Sequence, residues 1–505
     1  MSTRVIATVA AVAAALAVLP ATAAGVPRND PRRLYPLHAA PDPENGGRIV
    51  DSRGRTVLLR GVNVNALAEY WQGSGFPTTF PLARKDPQRI AAIGWNTVRL
   101  LVSWSRVEPQ PGVYDEGYLN QVSATIRRFE KVGVYTIVDF HQDAWGPTLA
   151  ARDGEACPPG TEPALGWDGA PGWATNDGGL PRCAAGGTRE ANAAVQRAWQ
   201  AFFTDEGEIQ TRYVAMLGHV AARFRGRTAV AGYDLMNEPN AFGPADDRRL
   251  SDFYARGLAA IRAAGSKQLV LFEPSVLFSA LGKGAPPDFA HDEGVVYAPH
   301  IYTGGFDGGQ ITSDPFQTVR DDAKTFGGAP VLSGEWGADP DRAKPDGDPY
   351  FLDHQQLQDQ FGFSATLWTW RESCGDPHKV GDMRAGNVPK PWGLFDVDCS
   401  TDRVTGERKA LKAHLSRGYV RAAPGLESTS WSPSTRTLEV SGTAEARNRV
   451  PVVVWIPTRK GERVGFTGYA PLKGLKTRRV AGGYLLSYAP RGAWAFTASR
   501  APRRR

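Results

Sequence analysis

Between about residues 49 and 417, short β-branched and apolar runs alternate with amphipathic stretches. Eight of these runs read as strands: 57–63, 97–102, 135–140, 230–236, 268–273, 295–301, 330–335 and 364–370. Several are unbroken apolar segments, which marks parallel strands covered on both faces. Between them Tyr118, Val122, Ile126 and Phe129 recur at helical spacing, and so do Tyr213, Leu217, Val220 and Phe224. These positions read as helix faces packed against the strands. Strand and helix alternating eight times predict an α/β fold, the (β/α)8 TIM barrel.

The pattern changes at about residue 418. Helical periodicity stops, and runs at 437–441, 450–456 and 483–487 are separated by Gly, Pro and Asn turns. Residues 418–500 are therefore expected to form a small antiparallel β-sandwich, followed by a basic tail at 501–505. Residues 25–48, rich in Pro, Arg and Asp, read as a loosely ordered lead-in. Ahead of them, Arg4, an apolar run over 5–19 and the small residues of 21–24 have the form of a signal peptide. The run is shorter than the roughly 20 apolar residues that span a bilayer. Cleavage after 1–24 and a secreted mature chain are the expectation, and no later segment is apolar enough to cross a membrane.

The length of 505 residues suits a large barrel plus a smaller domain. The net charge is +7, part of it in the terminal arginines, and reads as a solvated surface rather than nucleic-acid recognition. Four cysteines in an exported chain suggest disulfides. Cys157 with Cys183 and Cys374 with Cys399 would make two local bridges. Other pairings are formally open, and no spacing matches a zinc site. Two long connections, 66–82 and 142–188, follow the first and third strands. They carry Tyr70, Trp71, Phe76, Phe80, Trp145, Trp167 and Trp173. Loops in that position build the rim of a barrel's active site.

Asp234-Leu-Met-Asn237-Glu238-Pro239 ends the fourth strand, and Leu332-Ser-Gly-Glu335-Trp336 ends the seventh. A lone Glu at a strand end is more often half of an ion pair. Two of them facing one barrel mouth supply the carboxyl pair that glycoside hydrolysis needs. In these motifs the chain resembles glycoside hydrolase family 5. The resemblance implies Glu238 as acid/base and Glu335 as nucleophile, with Asn237 preceding the acid. It assigns Arg99 to holding the nucleophile ionised, His141 to lining the sugar subsite, and His300 with Tyr302 to the sixth strand beside the nucleophile. Trp370 is assigned to underlying the reacting sugar.

The runs Phe140-His-Gln-Asp143, Tyr233-Asp-Leu-Met-Asn-Glu-Pro239 and Trp368-Thr-Trp-Arg-Glu372 narrow the resemblance to the endoglycoceramidase branch. That implies cleavage of the bond between oligosaccharide and ceramide in glycosphingolipids, by double displacement and without metal or organic cofactor. The substrate would be presented in micelles or at a membrane surface, with Asp143 touching the sugar next to the scissile bond. Galactosylceramide-type, glucosylceramide, β-glucan and mannan substrates are the alternatives within the same chemistry. A non-catalytic carbohydrate- or lipid-binding protein is the alternative outside it. The sandwich reads as a binding module or as a packing partner of the barrel, and no obligate protein partner is implied.

Overall fold

The computed structural model describes residues 30–185, 188–282, 284, 286–459, 461–468 and 474–501. The signal-peptide stretch 1–24 and tail positions 502–505 lie outside the described residues. Eight parallel strands run in sequence order around one sheet: Arg60–Val64, Thr97–Ser103, Tyr135–His141, Val230–Asp234, Leu269–Phe272, Val295–Tyr297, Leu332–Trp336 and Ser364–Leu367. The sixth and seventh strands close the ring through a parallel bridge between Tyr297 and Val331, where Tyr297 N donates to Pro330 O at 3.0 Å. Every residue of these strands is buried, which explains the unbroken apolar runs in the sequence.

The helices cover the outside of the ring. Tyr118, Val122, Ile126 and Phe129 all point inward from the helix Glu116–Glu130. Tyr213, Leu217, Val220 and Phe224 do the same from Ile209–Phe224. Asp115 caps the first of these, its carboxylate accepting from Tyr118 N at 2.8 Å.

The carboxy-terminal region packs two antiparallel sheets. The smaller has four strands in the order Leu426–Ser432, Thr437–Ala444, Gly492–Ala501, Arg463–Gly468. The larger has seven, and three of them come from the other end of the chain. Leu37–Ala40, Arg48–Asp51 and Arg55–Thr56 pair onward through Thr56 to Ala423 of the strand Tyr419–Pro424. The expectation of a loose lead-in over 25–48 is thus corrected for its second half. Leu37, Ala39 and Ile49 bury against Leu269, Leu271, Val296 and Leu332, so this hairpin stops the base of the barrel. Tyr135 at the start of the third strand donates its hydroxyl to Tyr35 O at 2.8 Å. Flanking Pro, Arg and Asp hide a four-residue strand, which shows itself only in the structure through alternate burial.

Disulfides join Cys157 to Cys183 and Cys374 to Cys399. No helix of the described residues is long and apolar enough to cross a membrane.

Candidate active site

All the chemistry converges on the carboxyl ends of the barrel strands. Arg99, in the middle of the second strand, is fully buried and spreads its guanidinium across the inside of the barrel. It donates to Asp234 at 2.9 Å, Asp139 at 3.0 Å, Glu273 at 2.9 Å, Asn237 Oδ1 at 2.9 Å and Glu335 Oε1 at 2.8 Å. One cation therefore faces four carboxylates, and its own proton is held far more tightly than usual despite burial. Burial raises Asp139 and Asp234 to about 6, Arg99 offsetting only part of the effect.

Glu335 ends the seventh strand. Its second oxygen accepts the Tyr302 hydroxyl at 2.8 Å. Burial pushes this carboxyl up to about 7, with His300 and Arg99 pulling the other way. Glu238 follows the fourth strand. It has a φ of 38°, a left-handed conformation that an L-residue adopts at a cost of roughly 1–3 kcal/mol. Its backbone N–H is tied to Glu273 Oε2 at 2.9 Å, and its side chain meets His300 Nδ1 at 2.7 Å. One oxygen of Glu238 and one of Glu335 lie within 4.8 Å of each other, with His300 between them.

Burial alone would discharge His300, but Glu273, Glu335 and Glu238 hold it protonated well above the usual histidine range. The same contact works in reverse on Glu238. Burial would raise its carboxyl, yet the His300 hydrogen bond and the Arg189 charge bring it down to about 2. Both shifts favour a charged His300 beside an ionised Glu238, and the 2.7 Å hydrogen bond between them is the path along which a proton can pass to the carboxylate.

His141 leans on Asp139 through Nδ1 at 2.7 Å and is kept neutral by burial. Asp143 makes a 2.8 Å ion pair with Arg189, which also stands 3.6 Å from Glu238 and lies over the Trp167 ring at 4.3 Å. His141, Asp143 and Asp168 bring ligand-type atoms within 4.8 Å of one another. The Arg189 charge against Asp143 makes that trio a poor cation site.

The structure brings Glu238, Glu335, Asn237, His141, Asp143 and Tyr302 to a cleft of about 1120 Å³, with Arg99 and His300 behind the two carboxylates. Trp370 is not among its lining residues. Its ring packs edge-on to Phe395 at 5.0 Å, and Trp368 takes the place facing the cleft, stacked on His141 at 5.6 Å. The eighth strand ends at Leu367, so side-chain alternation does not extend to residue 370. Two further participants were not anticipated. Glu273 directly follows the fifth strand and obeys the same strand-end rule that singles out Glu238 and Glu335. Arg189 is one arginine in a long loop, and nothing in the sequence around it marks it. Of the loop aromatics, Tyr70 and Trp145 are buried as packing, whereas Trp167 reaches the cleft.

Two carboxylates within 4.8 Å, one anchored by a buried arginine and one by a histidine, in a barrel mouth of this size define a glycoside hydrolase. Residues 50–373 match the family described as cellulase (glycosyl hydrolase family 5). The chain belongs to glycosyl hydrolase family 5. The endoglycoceramidase I of Rhodococcus hoagii is 28% identical over 283 residues, which are 51% of this chain and 52% of that protein. The chain thus matches about half the length of that curated relative. Among solved structures, an endogalactoceramidase is 36% identical with a TM-score of 0.81, covering 92% of this chain and 100% of that one. A lactosyl-enzyme intermediate of endo-glycoceramidase II from a Rhodococcus species is 25% identical with a TM-score of 0.69, covering 90% and 99%.

Proposed function

We propose that this protein is a secreted, retaining endo-glycosidase that releases the intact glycan from the ceramide of glycosphingolipids. The observation that carries the reading is the approach of Glu238 and Glu335 to within 4.8 Å. Retaining enzymes place their carboxyls about 5–5.5 Å apart, and inverting ones leave about 6.5–9.5 Å for a water.

In the first step Glu335, ionised against Arg99 and Tyr302, attacks the anomeric carbon from the far face of the sugar. Glu238 protonates the departing ceramide oxygen, its proton drawn along the His300 hydrogen bond. The glycosyl ester removes the negative charge of Glu335. Glu238 then accepts a proton from the water that attacks the ester, and the sugar leaves with its configuration kept. A lactosyl-enzyme intermediate, as solved for endo-glycoceramidase II, belongs to this two-step course.

The cleft walls suit a substrate that is half sugar and half lipid. Ala144, Ala164, Leu165 and Val195 offer alkyl surface, and Asp339, Glu372, Lys379 and Lys390 offer charges and hydrogen bonds. The stronger likeness to endogalactoceramidase favours a galactosylceramide-type headgroup over a glucosyl one. The pattern of residues 1–24 and the two disulfides support export.

The test is incubation of the mature chain with detergent-dispersed galactosyl-, glucosyl- and lactosylceramide-based glycolipids, beside β-glucan and mannan. Free ceramide with an intact glycan, absent for Glu335→Gln, is the expected result. Nuclear magnetic resonance in the first minutes should show the β-anomer. Release of oligosaccharides from the polysaccharides alone would refute the lipid substrate, and an initial α-anomer would refute retention.

A further inference from the structure

A second large cavity, of about 920 Å³, opens between the amino-terminal segment and the sandwich. It lies at the end of the barrel away from the catalytic cleft. Tyr35, one of its lining residues, is held there by Tyr135 at the start of the third strand, whereas His141 at the other end of that strand lines the cleft. The Tyr135 hydroxyl accepts from Tyr35 N at 2.9 Å and donates to Tyr35 O at 2.8 Å, which fixes the Tyr35 backbone on the barrel.

The charges around this cavity are lopsided. The guanidinium groups of Arg33, Arg53 and Arg55 lie 5.5, 5.4 and 5.2 Å from the centre of the Tyr35 ring. Asp51 neutralises Arg55 at 2.6 Å. Asp30, which also lines the cavity, is engaged by Arg32 at 2.8 Å and by Arg478 at 2.6 Å. Among the described residues Arg33 and Arg53 are left without a carboxylate partner, and so are Arg449, Lys476 and Arg491 on the sandwich wall. One aromatic face offsets little of the repulsion among three guanidinium groups, so an anion between the walls would relieve it.

The walls that carry these cations are tied in place. Asn448 Nδ2 donates to Val450 O and to Pro490 O, both at 2.9 Å, which pins the turns bearing Arg449 and Arg491 to each other. Arg55 Nη1 reaches across from the amino-terminal segment to Pro451 O at 3.3 Å. Trp494 lines the same cavity at 5% exposure, and its Nε1–H has no acceptor among the described residues.

Guanidinium forks match the two oxygens of a carboxylate or sulfate, and a concave wall of one sign concentrates the field inside it. A cavity of this size accommodates two or three sugar rings. Tyr35, Ser487 and Asn448 add neutral polar groups to its lining, as hydroxyl-rich rings require. We infer that this cavity is a second, non-catalytic binding site for an acidic saccharide bearing carboxylate or sulfate groups. It would hold the enzyme on an anionic glycan while the barrel mouth, at the opposite end, stays open.

The test is isothermal titration of the full mature chain with four probes. They are a heparin tetrasaccharide, tetragalacturonate, neutral maltotetraose and inorganic sulfate. Two variants accompany the parent. Arg53→Ser/Arg449→Ser/Arg491→Ser empties the cavity wall of exposed cations, and Lys131→Ser/Arg248→Ser/Lys267→Ser removes the same charge from exposed positions elsewhere. The parent should bind at least one acidic tetrasaccharide and not maltotetraose, with affinity falling as salt is raised. The cavity variant should bind about tenfold or more weakly, with its Tm within about 2 °C of the parent, and the control variant should bind within about twofold of it. Equal binding by parent and cavity variant overturns the inference, and so does an equal loss in both variants, which would reflect net charge alone. A parent that binds neither acidic tetrasaccharide overturns it without recourse to a variant. Inorganic sulfate binding as tightly as the tetrasaccharide would refute a saccharide ligand.

Discussion

Replacing Glu335 by Gln should abolish turnover and at the same time make the protein more stable at alkaline pH. In the folded chain this carboxyl is pushed up to about 7 by burial. In the unfolded chain a glutamate titrates near 4.3, so the two states differ by roughly 2.5 pH units. Between those values the folded protein keeps a proton that the unfolded chain has released. The stabilising contribution is therefore complete below about pH 4 and is lost as the pH rises through about 7. At about 1.4 kcal/mol per unit the loss is on the order of 3 kcal/mol.

Glutamine stands in for the protonated form and can still meet Tyr302. Its advantage should be near zero at pH 4.5, grow through neutrality and level off above pH 8. Urea unfolding of both proteins at half-unit intervals of pH measures this difference. The neighbouring carboxylates titrate in both proteins and cancel to first order. A difference independent of pH, or one that shrinks toward alkaline pH, would show that Glu335 is not held up by burial.

The pH profile of kcat/KM should rise through about 7 as Glu335 ionises. It should fall only well above the ordinary histidine range, where the Glu238–His300 pair loses its proton. An acid limb near 4.5 would contradict the assignment. Arg99→Met leaves four carboxylates facing one another, and should cost about 3–5 kcal/mol in urea unfolding beside an almost complete loss of kcat. Trp368→Ala should cut kcat/KM by at least about tenfold, and Trp370→Phe should leave it within about twofold, because only the first ring faces the cleft. Replacing Cys157 and Cys183 by Ser opens a crosslink with a sequence separation of 26. By chain entropy that should lower stability by about 3 kcal/mol, and limited proteolysis should then cut within 157–183.

The barrel was legible because its strands are buried on both faces and its helices on one, and each situation imposes a period on the residues. The same rule of carboxylates at strand ends leads to Glu238 and Glu335. Applied consistently it leads to Glu273 as well, which touches both the acid's backbone and Arg99. What stayed hidden depends on contacts distant in the chain. Arg189 acquires its meaning from Asp143, Glu238 and Trp167 in three dimensions. The resemblance assigns the eighth-strand position to Trp370, but only the backbone decides where that strand stops, and it leaves Trp368 facing the cleft. The strand Leu37–Ala40 is too short to show a period, and the sheet it enters through Arg48–Asp51 continues into Tyr419–Pro424 from the other end of the chain.

That last pairing bears on how the chain acquires its shape as it emerges. Thr56 meets Ala423 and Leu37 meets Asp51 in one sheet, so the stopper of the barrel's base is completed only by segments made last. Such late, sequence-distant closure slows folding and leaves apolar surface uncovered meanwhile. Until Tyr419–Pro424 arrives, Leu37, Ala39 and Ile49 have an incomplete sheet behind them. A chain trimmed to the 50–373 span of the family match would expose the floor of the barrel permanently and is expected to aggregate.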